Sequence, residues 1–487
     1  MTAAAQPHDA SGPTVARQHH NLTLLVLGAS ALAYALSQTM VAPALPEIQR
    51  SLHTSTTSVT WVLTVYLLTA SVATPIIGRL GDMFGKERML LLTLVFFGIG
   101  SLVAALSHSI GMLVAGRAIQ GIGGAVFPLA FGIIRDEFPP DKVATGIGMI
   151  SATFGIGGGG GLVLSGLIVD HLAYEWIFWL ALVFVAMAIV ATHLFVPESP
   201  IKSPAKIDWA GAALLSGGLV CLLLGVSEGN RWGWTSPREL ASFGAALVLL
   251  VLWTRYELRT PEPLVDMNML RRRAVLTPNL TAVLMGFGMF GSFIIIPQLV
   301  QQPVSTGYGF GASVTEAGLF LLPSTTVMLF AGPIAGTLGE RVGSKLPLLL
   351  GTLLAATSFA FLAEIHDQRW AIYVGTAILG LGIGFSFAAM ANVVVEAVDQ
   401  RQTGVATGMN TIMRTIGGSL GGQMSASVLT AHVVAGHPSS SAFTIAFTLS
   451  TVAMLIAFAC ALAIPVTQRR SRPAPGALAA PAPVFKE

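Results

Sequence analysis

Charged side chains that interrupt long apolar segments are the residues of this sequence with the clearest capacity for chemistry. Asp82 lies in the turn Gly78–Arg88, which joins two long segments that carry no charge. Arg117 and Arg414 lie inside other apolar segments. A guanidinium in such a segment is costly and almost always faces a cavity or a partner. These residue types predict ion pairing and charge-dependent gating rather than the making of covalent bonds.

Patterns typical of an enzyme or of a nucleotide-driven pump do not accompany these charges. We find no Gly-x-x-x-x-Gly-Lys-Ser/Thr loop for ATP, no histidine set for a metal and no evident nucleophile–base pair. Cys221 and Cys460 each lie in an apolar run and predict neither a disulfide nor a metal site. The basic residues are spread over short loops, which does not indicate nucleic-acid binding. We therefore expect no cofactor, no ATP and no enzymatic activity.

Composition predicts an all-α integral membrane protein. Hydrophobic residues make up 53% of the 487 residues and charged residues only 10%, whereas soluble domains carry about 25% charged residues. Because a spanning helix needs roughly 20 apolar residues, we predict fourteen spans. Numbered in order, they are 23–44, 59–78, 88–107, 110–134, 146–169, 176–196, 209–226, 239–255, 276–301, 315–336, 347–364, 370–397, 403–433 and 442–466.

The distribution of lysine and arginine predicts the orientation of these spans. With the N-terminus inside, twenty of the 26 basic residues fall in inner segments and only four, Arg50, Arg231, Arg238 and Arg369, fall in outer loops. Inner loops of membrane proteins carry such an excess. We therefore predict that both termini are cytoplasmic.

Internal repeats predict a duplicated six-helix unit. Gly336–Lys345 repeats the Gly78–Arg88 turn, and Val143-Ala-Thr-Gly146 recurs unchanged as Val405-Ala-Thr-Gly408. The offsets nearly agree, so we predict two parallel halves with two inserted helices between them. The predicted divisions are a cytoplasmic tail 1–22, an N-terminal half 23–196, a linker with two extra spans 197–275, a C-terminal half 276–466 and a disordered cytoplasmic tail 467–487.

These motifs resemble those of the major facilitator superfamily over residues 22–466. The turn Gly78–Arg88, the Arg117-x-x-Gln120-Gly121 motif and the glycine-rich segment 155–166 carry the resemblance. The six-plus-two-plus-six layout is similar to the fourteen-helix drug:proton antiporter family of multidrug efflux proteins. The resemblance implies two halves that rock about a midplane site, in a cell membrane, and export of small amphipathic compounds driven by protons.

The resemblance also implies that Asp82 holds the two halves together at the cytoplasmic side while the cavity faces out. An anion can bind the N-terminus of a helix from the other half or pair with a base. The alternative is a basic hairpin that only sets topology. The predicted gate residues, in two copies, are Gly78, Asp82, Gly85, Arg88, Gly336, Glu340 and Gly343.

In the family, the arginine that matches Arg117 is tied to proton movement. A structural arginine bonded to carbonyls and to Gln120 is the alternative. The predicted coupling or cavity residues are Arg117, Gln120, Gly121 and Arg414. Segment 155–166 predicts close helix packing at Gly157, Gly161 and Gly166, although Leu162 replaces the proline of the antiporter pattern.

Span 1 departs from the family because Ser37 stands where an aspartate is usual. If both buried arginines face the cavity, a positive interior should favour anionic or neutral amphipathic compounds. Alternatively, the fold brings an acid from a helix end to neutralise them. Substrate-pocket candidates, which could equally face lipid or pack internally, are Gln38, Thr39, Tyr66, Phe154, Met289, Gln298 and Asn410.

Three readings besides drug export stay open at the level of sequence. The first is a narrow-specificity exporter of a metabolite or lipid with the same fold. The second is an uncoupled facilitator. The third, from another class, is a non-transporting receptor or scaffold, which would have no need of a repeated gate motif or of a buried arginine.

Overall fold

The computed structural model describes residues 20–199, 201–203, 206–434 and 436–465. The predicted tail 467–487 and residues 1–19 of the tail 1–22 lie outside the described residues. The described chain is a bundle of long α-helices with one two-residue antiparallel ladder, β1 (Val433–Val434) with β2 (His437–Pro438). The prediction of an all-α fold is confirmed.

The first half contains eight helical segments. They are α1 (His20–Thr39), α2 (Val41–Ser51), α3 (Thr56–Phe84), α4 (Lys86–Ala105), α5 (Ile110–Gly121), α6 (Val126–Glu137), α7 (Val143–His171) and α8 (Trp176–Phe195). A short 3-10 turn, Ile122–Ala125, joins α5 to α6, so that the two form one continuous rod.

Two long helices and one short helix follow, and six long helices complete the chain. The inserted segment holds α9 (Trp209–Trp232), α10 (Pro237–Glu257) and α11 (Met267–Arg271). The second half holds α12 (Arg273–Val300), α13 (Val314–Val342), α14 (Lys345–Glu364), α15 (Arg369–Ala397), α16 (Thr403–Ala431) and α17 (Ser440–Leu462), with 3-10 turns at Val304–Thr306 and Gln400–Gln402.

Within the described residues, 13 helices are long and apolar enough to cross a membrane. The predicted span 403–433 coincides with α16, which is 29 residues long but is not among them. Its sequence is rich in Gly, Thr and Ser. Its glycines press against the α12 backbone: a Cβ on Gly417 or Gly421 would collide with Val283 or Phe287. Close packing of this kind selects small residues and lowers hydropathy, so a fourteenth crossing stays a prediction.

Several predicted boundaries differ from the structure. The spans 59–78 and 315–336 end too early, because α3 and α13 continue as helices to Phe84 and Val342. Three further differences have local reasons. Span 1 ends at Thr39, and a separate helix, α2, carries Pro46 in its interior. Span 4 is interrupted by the turn Ile122–Ala125, where glycines favour a change of backbone geometry. The inserted spans are also longer than predicted, because α9 runs on to Trp232 and α10 begins at Pro237.

Two helix pairs form the largest contacts between the halves. α7 of the first half packs along α13 of the second, and α3 packs against α16. The inserted helices α9 and α10 pack on each other, and α9 also touches both α3 and α16. The inserted segment therefore lies over the seam between the halves rather than beside one of them.

Candidate functional site

Asp82, near the C-terminal end of α3, binds the N-terminus of α16 in the other half. Its two carboxylate oxygens accept hydrogen bonds from the backbone N–H groups of Gly404 and Val405, each at 3.2 Å. The Asp82 side chain is fully buried. The first N–H groups of a helix have no intrahelical acceptor and carry partial positive charge, which makes this carboxylate a fitting cap. One turn earlier, Gly78 lets the helices touch: a Cβ there would lie 2.6 Å from the carbonyl oxygen of Gly404.

Glu340, near the end of α13, makes the equivalent contact in the opposite direction. Its Oε1 accepts from the backbone N–H of Thr145 at 3.0 Å and from the Thr145 hydroxyl at 2.7 Å, at the N-terminus of α7. A Cβ on Gly336 would lie 2.7 Å from the carbonyl oxygen of Ala144. The repeated sequence motifs therefore form two related contacts, each joining an acid of one half to a helix N-terminus of the other. We call the face that holds them the inner face.

A buried lysine reinforces the first contact. The Lys86 Nζ lies 2.6 Å from Asp136 Oδ2 and 3.5 Å from Asp82 Oδ1, and all three side chains are fully buried. Ser344 and Glu396 hold the equivalent places in the second half, where a hydroxyl donates to a carboxylate at 2.7 Å. Sequence reasoning placed Lys86 in the turn but did not include it or Asp136 in the gate. The predicted gate residue Arg88 lies instead at the surface, 3.3 Å from Glu198.

Arg135 adds a further bond between the halves. Its guanidinium donates to the Thr403 hydroxyl at 2.6 Å and to the Val398 carbonyl at 2.7 Å. The linker after the first half also reaches this face, since the Ser203 N–H donates to the Asp82 carbonyl at 2.8 Å. The inner face is thus closed by bonds from three parts of the chain.

Two glycines of the repeated motifs, Gly85 and Gly343, adopt a backbone geometry with positive φ. Gly85 has φ 121° and Gly343 has φ 90°, a region that other residues rarely enter. Each glycine ends one long helix of the repeated pair immediately before the next begins. This geometry turns the chain sharply and sets the acid one turn earlier against the opposing half.

Arg117 is fully buried within the first half and holds three helices together. Its Nε donates to the Val62 carbonyl at 3.1 Å, and its Nη1 donates to Gln120 Oε1 at 2.8 Å and reaches the Ser37 carbonyl at 3.4 Å. The guanidinium carbon lies 3.8 Å from the centre of the Tyr66 ring. Tyr66 therefore lies against Arg117 on one side, and Nη2 has no hydrogen-bond partner among the described residues.

The second half keeps the same backbone contact without the charge. Thr376 replaces Arg117 in the repeat, and its hydroxyl donates to the Phe320 carbonyl at 3.1 Å. Arg414, the other buried arginine, lies on α16 with its guanidinium carbon 4.6 Å from the ring centres of both Phe154 and Phe387. The two arginines are thus held by different means, one by carbonyl and amide oxygens and the other between two phenylalanines.

A cavity of about 450 Å³ lies between the halves, in the half of the bundle away from the inner face. Five helices form most of its wall: α1 and α3 from the first half, α12 and α16 from the second, and α9 from the inserted segment. Ala42 of α2 and Leu162 of α7 contribute one residue each. Its lining residues are Gln38, Thr39, Ala42, Thr60, Leu63, Thr64, Tyr66, Leu67, Leu162, Ser227, Glu228, Arg231, Phe290, Phe293, Ile294, Thr415, Gly418, Ser419, Gly422 and Gln423.

The predicted pocket residues separate into four groups. Gln38, Thr39 and Tyr66 line the large cavity, whereas Phe154 and Met289 line a void of about 10 Å³ beside it. Gln298 lines a separate cavity of about 300 Å³. Asn410 packs within the second half instead, donating to Asn279 Oδ1 at 3.0 Å. Neither Arg117 nor Arg414 lines these cavities, so the structure does not place both arginines on a cavity wall.

The glycine-rich helix α7 brings its neighbours close. The Thr39 hydroxyl donates to the Gly157 carbonyl at 2.6 Å, and a Cβ on Gly161 would lie 3.2 Å from Thr39 Cβ. A Cβ on Gly166 would lie 2.7 Å from the Thr315 hydroxyl of α13. Gly121 is packed as tightly, because its Cβ would lie 2.6 Å from the Tyr66 carbonyl. Three of these glycines pack inside the first half, and Gly166 packs across the seam.

Two helical halves that close on each other at one face, and leave a cavity between them toward the other, define a membrane transporter of the alternating-access class. The Major Facilitator Superfamily family model matches residues 27–422. The chain belongs to the major facilitator superfamily and is a multi-pass membrane transporter.

Several relatives are named as export or multidrug resistance proteins. The tetracenomycin C resistance and export protein of Streptomyces glaucescens is 32% identical over 388 residues, which cover 79% of this chain and 71% of that protein. Multidrug resistance protein 3 of Bacillus subtilis is 29% identical over 379 residues, covering 77% and 73%. The crystal structure of the human organic anion transporter MFSD10 matches with a TM-score of 0.65 at 18% identity, covering 91% of this chain and 99% of that one, which shows a shared fold.

Proposed function

We propose that this protein exports drugs or other small amphipathic compounds by alternating access, driven by inward proton flow. The observation that carries the proposal is the arrangement of the two halves. Asp82 and Glu340 close the inner face through two related helix-terminus contacts, and a cavity of drug-sized volume lies beyond them. The resistance and export functions of the relatives support the same conclusion.

The proposed site follows from this arrangement. Gly78, Asp82, Gly336 and Glu340 form the gate, with Lys86 and Arg135 added by the structure. Gln38, Thr39 and Tyr66 contact the substrate, and Arg117 with Gln120 couples the cavity wall to the helices behind it. The two halves, 23–196 and 276–466, move as units about this site, and the segment 197–275 spans the seam.

The proposed setting is the plasma membrane, with fourteen spans, both termini in the cytoplasm and no use of ATP. The excess of lysine and arginine on the inner side supports this orientation. The contacts of Asp82 and Glu340 lie on that same side, which makes them cytoplasmic contacts. The cavity is then open toward the outside when these contacts are formed.

Transport in proteoliposomes with an imposed pH gradient tests the proposal. Proteoliposomes that contain the purified protein should accumulate a fluorescent amphipathic dye against its concentration gradient when a proton gradient is imposed. Accumulation should stop when a protonophore removes the proton gradient. Liposomes without protein serve as the control for passive leak. Dye movement that does not depend on the pH gradient would overturn the proposal of proton coupling and would indicate an uncoupled facilitator.

A narrow specificity is the second candidate, because one relative is named for a single compound, tetracenomycin C. Competition among dyes of unrelated shape separates the two. A multidrug exporter should show mutual inhibition among several chemical classes, and a narrow exporter should respond to one.

A further inference from the structure

The inserted helix α9 forms one wall of the cavity between the halves. Ser227, Glu228 and Arg231 of its outer end line that cavity. The Gln423 side chain of α16 donates to the Ser227 carbonyl at 3.1 Å, which fixes α9 against the second half. The insertion is therefore part of the binding space and not only a peripheral addition to it.

Glu228 is the one carboxylate among the residues that line this cavity in the described chain. Its Oε2 lies 3.0 Å from Arg231 Nη1, but the two partners are unequally placed: 7% of the Glu228 side chain is exposed, against 51% of Arg231. The carboxylate thus lies inside the cavity wall and the guanidinium lies at its mouth. Leaving a buried carboxylate unpaired costs more than leaving an exposed arginine unpaired, so a cationic ligand can replace Arg231 as the partner of Glu228.

A second acid adds to the negative charge beside Glu228. Glu239, on the first turn of α10, is fully buried, and neither of its oxygens has a hydrogen-bond partner among the described residues. Glu228 is close enough for electrostatic repulsion between the two carboxylates. Two carboxylates therefore share this corner of the structure, whereas Arg238 of the same turn is exposed to solvent.

The other helices packed against α9 supply no compensating charge near its outer end. The outer half of α3 has no charged residue, and Arg414 is the single charged residue of α16. That arginine lies between Phe154 and Phe387 rather than on the cavity wall. The remaining wall is mostly apolar and aromatic, with Tyr66, Phe290 and Phe293, which suits the apolar body of an amphipathic ligand.

We propose that Glu228 of the inserted helix α9 is the group that selects for charge in this cavity, and that it binds the cationic group of a ligand in exchange for Arg231. The inference rests on the proposed export function and names a residue and charge preference for it. It reverses the expectation of anionic or neutral substrates, which required both buried arginines to face the cavity.

Two probes of the same shape and opposite charge test the proposal. Tetraphenylphosphonium is a cation and tetraphenylborate an anion, and equilibrium dialysis with the purified full-length protein measures the affinity of each. Glu228→Gln should weaken tetraphenylphosphonium binding about tenfold, as expected for the loss of one partly buried ion pair. Binding of tetraphenylborate should stay unchanged or become tighter.

Arg231→Gln separates a binding role from a structural one. Both substitutions break the same Glu228–Arg231 pair, so a purely structural role predicts that both act in the same direction. The proposal predicts opposite directions, because removing Arg231 frees the carboxylate and tightens tetraphenylphosphonium binding several-fold, by roughly 1 kcal/mol or less. Arg231→Gln also keeps the test valid if Glu228→Gln fails to fold, which thermal unfolding would reveal.

The chain offers a matched control at the same face. Glu47 and Arg50 form an equally spaced pair at 2.8 Å, with 32% and 74% of their side chains exposed, and neither lines the cavity. Glu47→Gln should leave both affinities unchanged. Equal effects of Glu228→Gln on the two probes, or the same sign of effect for Glu228→Gln and Arg231→Gln, would overturn the proposal. The binding assay does not depend on transport. If the protein binds the cation through Glu228 but moves no dye in proteoliposomes, the result contradicts the proposed export function and not the role of Glu228.

Discussion

Two carboxylates, Asp82 and Glu340, carry the contact between the halves at the scale of single residues. Each receives hydrogen bonds from the first turn of a helix that belongs to the other half. A negative charge at a helix N-terminus is worth about 0.3–1 kcal/mol when exposed and up to about 2 kcal/mol when partly buried. Energies of this size hold a closed face while still allowing it to open.

Asp82→Asn should reduce transport about tenfold while the protein still folds. The amide keeps the size of the side chain but loses the charge that favours the α16 N-terminus and Lys86, and a loss of about 1.4 kcal/mol shifts a two-state equilibrium tenfold. Initial rates of dye uptake in proteoliposomes measure the effect, with thermal unfolding as a check on folding. Arg88→Gln is the control, because its exposed pair with Glu198 should contribute little. Full transport by Asp82→Asn would refute the gate role.

The two repeats differ at Arg117 and Thr376. Both side chains donate to the same backbone position in their halves, the carbonyl of Val62 or of Phe320. A hydroxyl is sufficient for that bond, so helix packing alone does not require an arginine in the first half. The additional groups that Arg117 contacts, Gln120 and the Tyr66 ring, connect it to a residue of the cavity wall.

Glycine contacts between helices govern the structure at the scale of elements. α3 meets α16 at Gly78 and Gly404, and α7 meets α13 at Gly148 and Gly332, in both cases with one backbone against the other. Helices approach this closely only where side chains are absent. Each contact pairs one helix from each half, and therefore these glycines set how far the inner face can close.

Gly78→Ala should prevent full closure of the inner face and lower transport. Its new methyl group would lie 2.6 Å from a backbone oxygen that cannot move aside without shifting α16. Gly160→Ala is the matched control, since nothing lies within 4 Å of its Cβ position, and alanine should stabilise the helix by about 1 kcal/mol. Dye uptake and thermal unfolding of both variants measure the difference. Equal transport by the two variants would show that the α3–α16 contact does not limit closure.

At the scale of the whole molecule, the structure shows the conformation in which the two halves are joined at the inner face. The inner face is closed by bonds from both halves and from the linker at Ser203, and the cavity lies away from that face. At the outer ends of α7 and α13, Thr315 donates to Asp170 at 2.7 Å. The α7–α13 contact therefore runs the length of the seam, while the opposite side of the seam is covered by α9.

Spin labels on the inner face should report the opening of the halves. Arg88 and Arg341 are exposed residues of the first and second half, and cysteines at these positions can carry labels for double electron–electron resonance. The Asp82→Asn background should shift the distance distribution to longer values, because one of the two closing contacts is weakened. Labels at Arg88 and Lys142, both in the first half, should show no shift. An unchanged distance between Arg88 and Arg341 would contradict the rocking of the halves.

The sequence by itself determined the class of fold and the duplication, and it singled out two acids, Asp82 and Glu340. Hydrophobic length specifies spanning helices, and a motif repeated at nearly one offset places Asp82 and Glu340 at equivalent turns. Glycines at positive φ, as at Gly85 and Gly343, were also predictable, because few other residues adopt that geometry.

Only the tertiary structure decided which of these residues meet. Lys86 rather than Arg88 lies beside Asp82, because in the first turn of α4 the Lys86 side chain points inward and the Arg88 side chain points outward. Glu228 falls just beyond the predicted span 209–226, because polar residues end the hydrophobic run before the helix ends. Whether a charge faces a cavity depends on contacts between distant helices, as with Arg117 behind Tyr66. Hydrophobic periodicity records that a residue lies in a helix, but not which helix it will face.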